Sequence, residues 1–321
     1  MRLDVSSQHP RPSNYLFESE QLNLDEDLLT SWQVFLRAEG KSPKTIKGYL
    51  ESIGRLLAFT RAQGMPNLTN LTREHVAAWM DELRSVGNKP ATIHTRYRGA
   101  GAFYKWLVVE ADEGVKQSPF VHIRPPRIPD EVQPHYEAEQ LERVLRAAAK
   151  YPNKIEAARI RAIVVTLYDT GLRAQELCSL RTEDVNWSTS TILVRETKGG
   201  DHRMVGLGAN AARCVDTYLR KRRKRSGWLF ETLAGRQLTT NALKLALRRA
   251  FDKAGVSFYG VHGFRRGFAI AYLANDGSPE DLKQLAGWRS HAMVARYTRV
   301  DASRRALENH KRLSPGDRLN T

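Results

Sequence analysis

Between residues 23 and 122 apolar positions recur every three or four residues, and no strand-like alternation interrupts them. Leu28, Trp32, Phe35 and Leu36 share one face of a first predicted helix that ends at Gly40. Ser42 and Pro43 offer an N-cap and a first helical residue for a second, which buries Ile46, Tyr49, Ile53 and Leu57. Thr72 can cap a third helix with Val76, Trp79, Met80 and Leu83 inward, stopping at Gly87. Pro90 opens a fourth, with Ile93, Tyr97, Phe103, Tyr104 and Leu107 inward. This half reads as an all-α domain over 23–123, after a polar tail at 1–22 with Pro10 and Pro12.

The segment 124–134 (RPPRIPDEVQP) cannot continue a helix and reads as an extended linker. Beyond it the helical period returns at about 137–149 and 155–170, and again from Ala174. Two β-prone runs, TILVRE and HRMVGL, flank Gly199-Gly200 and predict a hairpin. Further helices are expected at about 209–225, 239–254, 262–275, 279–286 and 291–298. The fold class is mainly α: an all-α N-terminal domain, then an α+β domain over 135–310 with a small antiparallel sheet, and a C-terminal tail at 311–321.

Charge changes the picture most. The chain has 51 Lys+Arg against 35 Asp+Glu, a formal net charge of +16. Such a surplus is self-repelling unless a polyanion is the usual partner, and nucleic acid is the commonest one. Lys41, Lys44 and Lys47 recur at a spacing of three along the second helix. Lys89, His94, Arg96 and Arg98 decorate the fourth. Basic residues at helix starts suit phosphate contacts, so Lys41, Lys44, Lys47, Lys89, Arg96 and Arg98 are candidate DNA-binding residues; a solvated helix face is the plainer reading of any one lysine. The densest basic run, RKRRKR at 220–225, reads either as a phosphate patch or as a solvated helix end.

Two cysteines, Cys178 and Cys214, lie far apart and form no metal-ligand spacing, so neither a disulfide framework nor a zinc site is expected. There is no phosphate-binding Gly-x-x-x-x-Gly-Lys loop, no acidic metal cluster, no signal-like start and no apolar run long enough to cross a bilayer. No cofactor, metal or membrane partner is expected, and the protein is expected in the cytoplasm, in contact with the nucleoid.

Four segments concentrate reactive side chains: YDTGLRAQEL, the Lys198 turn of the hairpin, HGFRRGF, and LAGWRSHAMVARYTR. Together with KSPKTIKGYL, ATIHTRYRGAGAFYKWL and RPPRIP upstream, they make the chain resemble the tyrosine recombinases, the family of phage integrases and Xer-type resolvases, from about residue 23 to 310. Five motifs in this order are very specific, although each alone would occur by chance. The resemblance implies a SAM-like core-binding domain over 23–123 and a catalytic domain over 135–310. It places Arg173 and Arg265 as catalytic arginines, Glu176 as the acidic partner of the first, Lys198 as the catalytic lysine, and His262 in the His-x-x-Arg pair. Trp288 stands where many members have His, and Tyr297, nine residues on (297 − 288), is the nucleophile. One departure is Arg266-Gly267-Phe268, where members often have Arg-His-Thr/Ser-Phe. The arm-site-binding domain of lambda-type integrases is expected to be absent.

The chemistry of these residue types agrees. Exchanging a phosphodiester needs a nucleophile, an acid for the leaving oxygen, and positive charge around the transition state. Arginine suits the last task because its planar fork donates two parallel hydrogen bonds and keeps its proton. His262 and Arg265 are three apart and share a helical face. A phenol is a weak nucleophile near neutral pH, so Tyr297 needs nearby positive charge to react. Lys198 is a general acid or a solvated turn lysine. Trp288 packs or donates its indole N–H, and Glu176 orients Arg173 or assists His262.

The resemblance further implies a clamp on double-stranded recombination sites, as a dimer on one site and a tetramer in synapsis, with accessory DNA-bending factors as possible partners. Its C-terminal helix is expected to dock on the neighbouring subunit. The reading is integration or excision of a phage or mobile element. Alternatives are a resolvase of chromosome or plasmid dimers, a type IB topoisomerase, against which the helical N-terminal half argues, and a catalytically silent DNA-binding regulator, which would be expected to have lost Tyr297 or an arginine.

Overall fold

The computed structural model describes the backbone of residues 13–111, 114–128, 133–195, 202–222, 227–295, 297, 307 and 310–318, with side chains from residue 24 onward. The chain divides into two compact units, Met1–Glu131 and Val132–Thr321. That division falls inside the proline-rich segment.

The first unit holds α1 (Ser13–Ala38), α2 (Pro43–Ala62), α3 (Arg73–Ser85) and α4 (Pro90–Val109), with a 3-10 turn at Leu68–Asn70. Helix α1 starts ten residues before the sequence reading placed it (23 − 13), so backbone taken as loose tail is helical from Ser13. Local caps match the sequence expectation. The Ser42 hydroxyl accepts the Thr45 N–H at 3.2 Å, and Pro43 follows it at a position that needs no donor. At α3 the Thr72 N–H donates to Nδ1 of His75 at 3.1 Å. The core is built on Trp32, which meets Phe103 edge-on at 5.2 Å and stacks on Tyr49 at 5.8 Å. Helices α2 and α4 approach closely because Gly99 has no side chain: a Cβ there would lie 2.4 Å from the Ser52 hydroxyl.

The second unit is organised around α6 (Lys154–Thr170), in which Ile160, Ile163, Val164 and Leu167 are fully buried. A helix buried on several faces needs neighbours on each. Here α5 (Ala138–Ala149), α8 (Ala209–Lys221), α9 (Thr240–Lys253) and α10 (Val261–Ala274) surround it. The short α7 (Ala174–Ser179) follows α6 directly. The sheet has three antiparallel strands in the order β1 (Val185–Asn186), β2 (Thr191–Val194), β3 (Arg203–Gly206). Its register pairs Val194 with Arg203 and Thr191 with Gly206. The hairpin matches the expectation, while two-residue β1 was not expected, being too short to show alternation.

A smaller apolar cluster joins α10 to α11 (Pro279–Ala286) and the helical residues 291–295, through Phe268, Leu273, Leu282, Trp288 and Val294. Two glycines permit the packing of α10. A Cβ at Gly263 would lie 2.7 Å from the Tyr136 ring, and one at Gly267 2.4 Å from the Tyr136 carbonyl oxygen. Tyr136 therefore lies against the helix that carries His262 and Arg265. Its hydroxyl accepts the Tyr259 N–H at 2.6 Å and donates to the Gly260 carbonyl at 3.2 Å. The departure at Gly267 thus has a packing reason.

Candidate active site

Glu176 is the hub of the site. It sits on α7 with only 2% of its surface exposed, and both carboxylate oxygens are doubly engaged. Oε1 accepts from Nη1 of Arg173 at 2.6 Å and Nη1 of Arg203 at 2.9 Å. Oε2 accepts the Arg173 backbone N–H at 2.8 Å and Nη2 of Arg203 at 2.7 Å. The local cause is a capping box: Arg173 is the N-cap of α7, and the third helical residue reaches back to its amide. Burial would raise this carboxyl's pKa, but the four hydrogen bonds and the two cations outweigh it and hold it at about 2. Of the two roles read for Glu176, the bond to Arg173 is formed; its acceptor positions are filled by arginines, with none left for His262.

Arg265 is held differently. It is 5% exposed on α10, and its fork donates to two main-chain oxygens: Gly171 at 2.8 Å and Ala286 in a short contact. Gly171 closes α6 in the left-handed region, at φ 60°, two residues before Arg173. Ala286 ends α11, two residues before Trp288. Arg265 thus ties together the segments bearing Arg173 and Trp288. Two bonds use two of its five N–H groups. Burial, then the neighbouring Arg173 charge, lowers its pKa to about 10, which leaves it protonated at neutral pH.

The Trp288 ring lies over the Arg265 guanidinium, 5.1 Å from centroid to Cζ. Tyr297 stacks on the other partner of this layer: its ring is 5.0 Å from that of Trp288 and within 4° of parallel. The phenol is half-buried, and near enough to Arg265 to contribute to its electrostatic surroundings. His262 is exposed in the first turn of α10. Partial desolvation comes first, then the charges of Arg266, Arg265, Arg173 and Lys244; together they hold its imidazole below the usual 6.5 and favour the neutral ring at neutral pH.

Five of the reactive residues are therefore brought together from distant segments: Arg173, Glu176, Arg265, Trp288 and Tyr297, with His262 facing the same cations. Lys198 lies outside the described residues, as do Arg296 and Arg299 beside Tyr297. Of the described residues that flank it, Nδ1 of His202 lies 2.9 Å from the Arg195 carbonyl.

Arg203 was missed as a site residue by the sequence reading. It opens β3, in phase with buried Val205, so its side chain faces inward. An arginine at an inward strand position is the signal that could have found it.

In the first unit Lys41, Lys44, Lys47, Lys89 and Arg98 are exposed. Lys41 lies 3.3 Å from Glu39. Arg96 stands apart: it is half-buried and lies 3.7 Å from Glu51 of α2, across the α2–α4 crossing. The basic run at 220–225 is not one outward patch. Arg222 is buried, with Nη1 donating to the Trp228 carbonyl at 2.6 Å, whereas Arg220 and Lys221 are exposed and 223–225 lie outside the described residues. Of the expected C-terminal helix, Leu307 is exposed, and Ala302 and Ala306 lie outside the described residues. No metal-ligand cluster and no helix long and apolar enough to cross a membrane occur among the described residues.

The profile of the phage integrase family matches residues 135–304, more than half of the chain, and that of the phage integrase N-terminal SAM-like domain matches 28–111. The tyrosine recombinase XerC of Bacillus pumilus is 29% identical over 286 residues, covering 84% of this chain and 90% of its own length. The tyrosine recombinase XerA of Pyrococcus furiosus is 27% identical over 282 residues, with coverages of 87% and 91%. Among solved structures, XerH recombinase bound to a palindromic difH substrate superposes with a TM-score of 0.70 at 21% identity, covering 95% of this chain and 91% of that one. A lambda integrase dimer on a COC′ core site gives 0.68 at 18% identity, with coverages of 85% and 94%. These two likenesses concern the fold. The chain belongs to the phage integrase family of tyrosine recombinases, enzymes that cleave and rejoin DNA strands at specific sites.

Proposed function

We propose that this recombinase uses Tyr297 as nucleophile on a scissile phosphate gripped by Arg173 and Arg265. The observation that carries the reading is the layer Arg265–Trp288–Tyr297, in which the phenol stacks on the same tryptophan that packs against a buried guanidinium. Attack by the phenolic oxygen forms a P–O bond to Tyr297 and breaks the bond to the 5′ oxygen, leaving a 3′-phosphotyrosine. The phenolic proton passes to His262, whose depressed pKa keeps it able to accept one. The departing 5′ oxygen takes a proton from Lys198. Cations on the non-bridging oxygens stabilise the added charge as it forms. Attack by a free 5′ hydroxyl reverses the sequence, so the energy of the broken bond is kept and no nucleotide cofactor is called for.

Duplex DNA is the substrate, held in part through Lys41, Lys44, Lys47, Lys89, Arg96 and Arg98, and the protein acts as a dimer on one site and a tetramer in synapsis. The dimeric lambda integrase on its core site supports this assembly by analogy of fold. Its work is integration or excision of a mobile element, in the cytoplasm at the nucleoid, with accessory DNA-bending proteins as partners. The XerC and XerA relatives favour a second reading, resolution of chromosome or plasmid dimers.

The test is to map covalent adducts on a nicked duplex made from DNA flanking the gene. Wild type should leave a protein–DNA adduct at one position, and Tyr297→Phe should bind the same duplex without forming it. An adduct at wild-type level in that variant would refute the nucleophile. A mapped position at an element boundary supports integration, and one in the replication terminus region supports resolution.

A further inference from the structure

We propose that Arg203 is a positioning residue of the strand-transfer site, setting through Glu176 the direction in which Arg173 presents its guanidinium. The inference rests on the role given to Arg173 above. Three donors of Arg203 are used: Nη1 and Nη2 grip both oxygens of Glu176, and Nε donates to the Leu285 carbonyl at 3.1 Å. Its side chain is 10% exposed, against 29% for Arg173.

Charge counting explains why a second arginine is present. Glu176 alone would neutralise Arg173, leaving no surplus charge for a phosphate. With Arg203 the knot holds two cations and one anion. Arg203 is the more enclosed of the two and Arg173 the more open, so the unspent charge lies on the partly exposed Arg173. Without Arg203, two of the four hydrogen bonds to a buried carboxylate are lost, and Arg173 would be drawn inward to satisfy it. The fold is shaped to admit Arg203: Gly287 closes α11 at φ 63°, and a Cβ there would lie 3.0 Å from the Arg203 Cδ. Arg203 also stands five residues after Lys198 (203 − 198), and it ties β3 to the last turn of α11, ahead of Trp288.

The full-length protein tests this on a nicked duplex carrying the cleavage position mapped for wild type. Single-turnover adduct formation at saturating DNA is compared for wild type, Arg203→Gln, Arg203→Lys, Arg173→Lys and the Arg203→Gln/Arg173→Lys double variant. Arg203→Gln should be about ten- to a hundredfold slower. Arg203→Lys should recover little, because a point charge cannot span both carboxylate oxygens. In the Arg173→Lys background the Arg203→Gln effect should shrink to about twofold, since the two act as one unit. Full, additive losses in the double variant overturn the proposal. A second substrate with sulfur in place of the departing 5′ oxygen loses a thiolate that needs no proton. Persistence of the Arg203 defect on it supports action through Arg173; recovery assigns the effect to the Lys198 hairpin and overturns the proposal. Should Arg203→Gln not fold, Arg203→Lys carries the same comparisons. A wild type that forms no adduct on any flanking DNA removes the strand-transfer reading and this inference with it. Adduct formation at wild-type rate in both Arg203 variants removes this inference alone.

Discussion

The two arginines assigned to the phosphate are oriented by opposite means. Arg173 is tied to a charged carboxylate and stays partly exposed, whereas Arg265 is buried and its described hydrogen bonds go to neutral main-chain oxygens. A carboxylate gives strong orientation but cancels charge, and so Arg173 needs the extra cation of Arg203. Carbonyl oxygens orient without cancelling charge, yet they demand that two loops be placed accurately around one side chain. The cost on that side is desolvation, seen in the lowered pKa of Arg265. One arrangement is built from side chains and the other from backbone.

The difference can be broken most severely at Arg265. Arg265→Lys cannot span the Gly171 and Ala286 carbonyls and keep donors for a phosphate, so adduct formation should fall by about 10²–10³-fold. A single-turnover rate within a few-fold of wild type would show that the fork is not needed. Next comes the backbone that Arg265 grips. Gly171→Ala places a Cβ 2.4 Å from the Phe268 ring at a φ of 60°, so it should destabilise by about 1–3 kcal/mol or more from strain alone. Gly64→Ala, at φ 61° in open space, serves as the control and should cost less, as read by the two thermal midpoints. The smallest effect concerns His262. As pH falls, its protonation removes the proton acceptor, so cleavage declines with a midpoint below 6.5. Arg266→Gln removes one of the cations that depress it. The midpoint should therefore rise toward 6.5, and the variant should lose activity at a higher pH than wild type; an unmoved acid limb would exclude His262 as the acceptor.

Much of this architecture was legible one element at a time. The helices of the first unit follow from apolar spacing, and Ser42 and Pro43 mark the start of α2 because capping is settled within four residues. The pairing of Arg173 with Glu176 is of the same kind, a contact across one helical turn. Legibility failed where the deciding contact was remote. The inward run of Arg222 depends on Trp228 and Leu229 beyond the end of α8, and the early start of α1 has no apolar period to announce it. The pairing of Arg203 is of this remote kind, since its partners lie 27 and 82 residues away.

Residue order alone was sufficient for the family and for the succession of helices and hairpin, because each rests on short-range periodicity or on motifs read in line. How one carboxylate is shared between two arginines, and which backbone oxygens face Arg265, was settled only when α7, β3, α10 and α11 packed together. Hydrogen bonds of that kind depend on sub-ångström distances between segments far apart in the chain, and linear spacing carries no information about those distances.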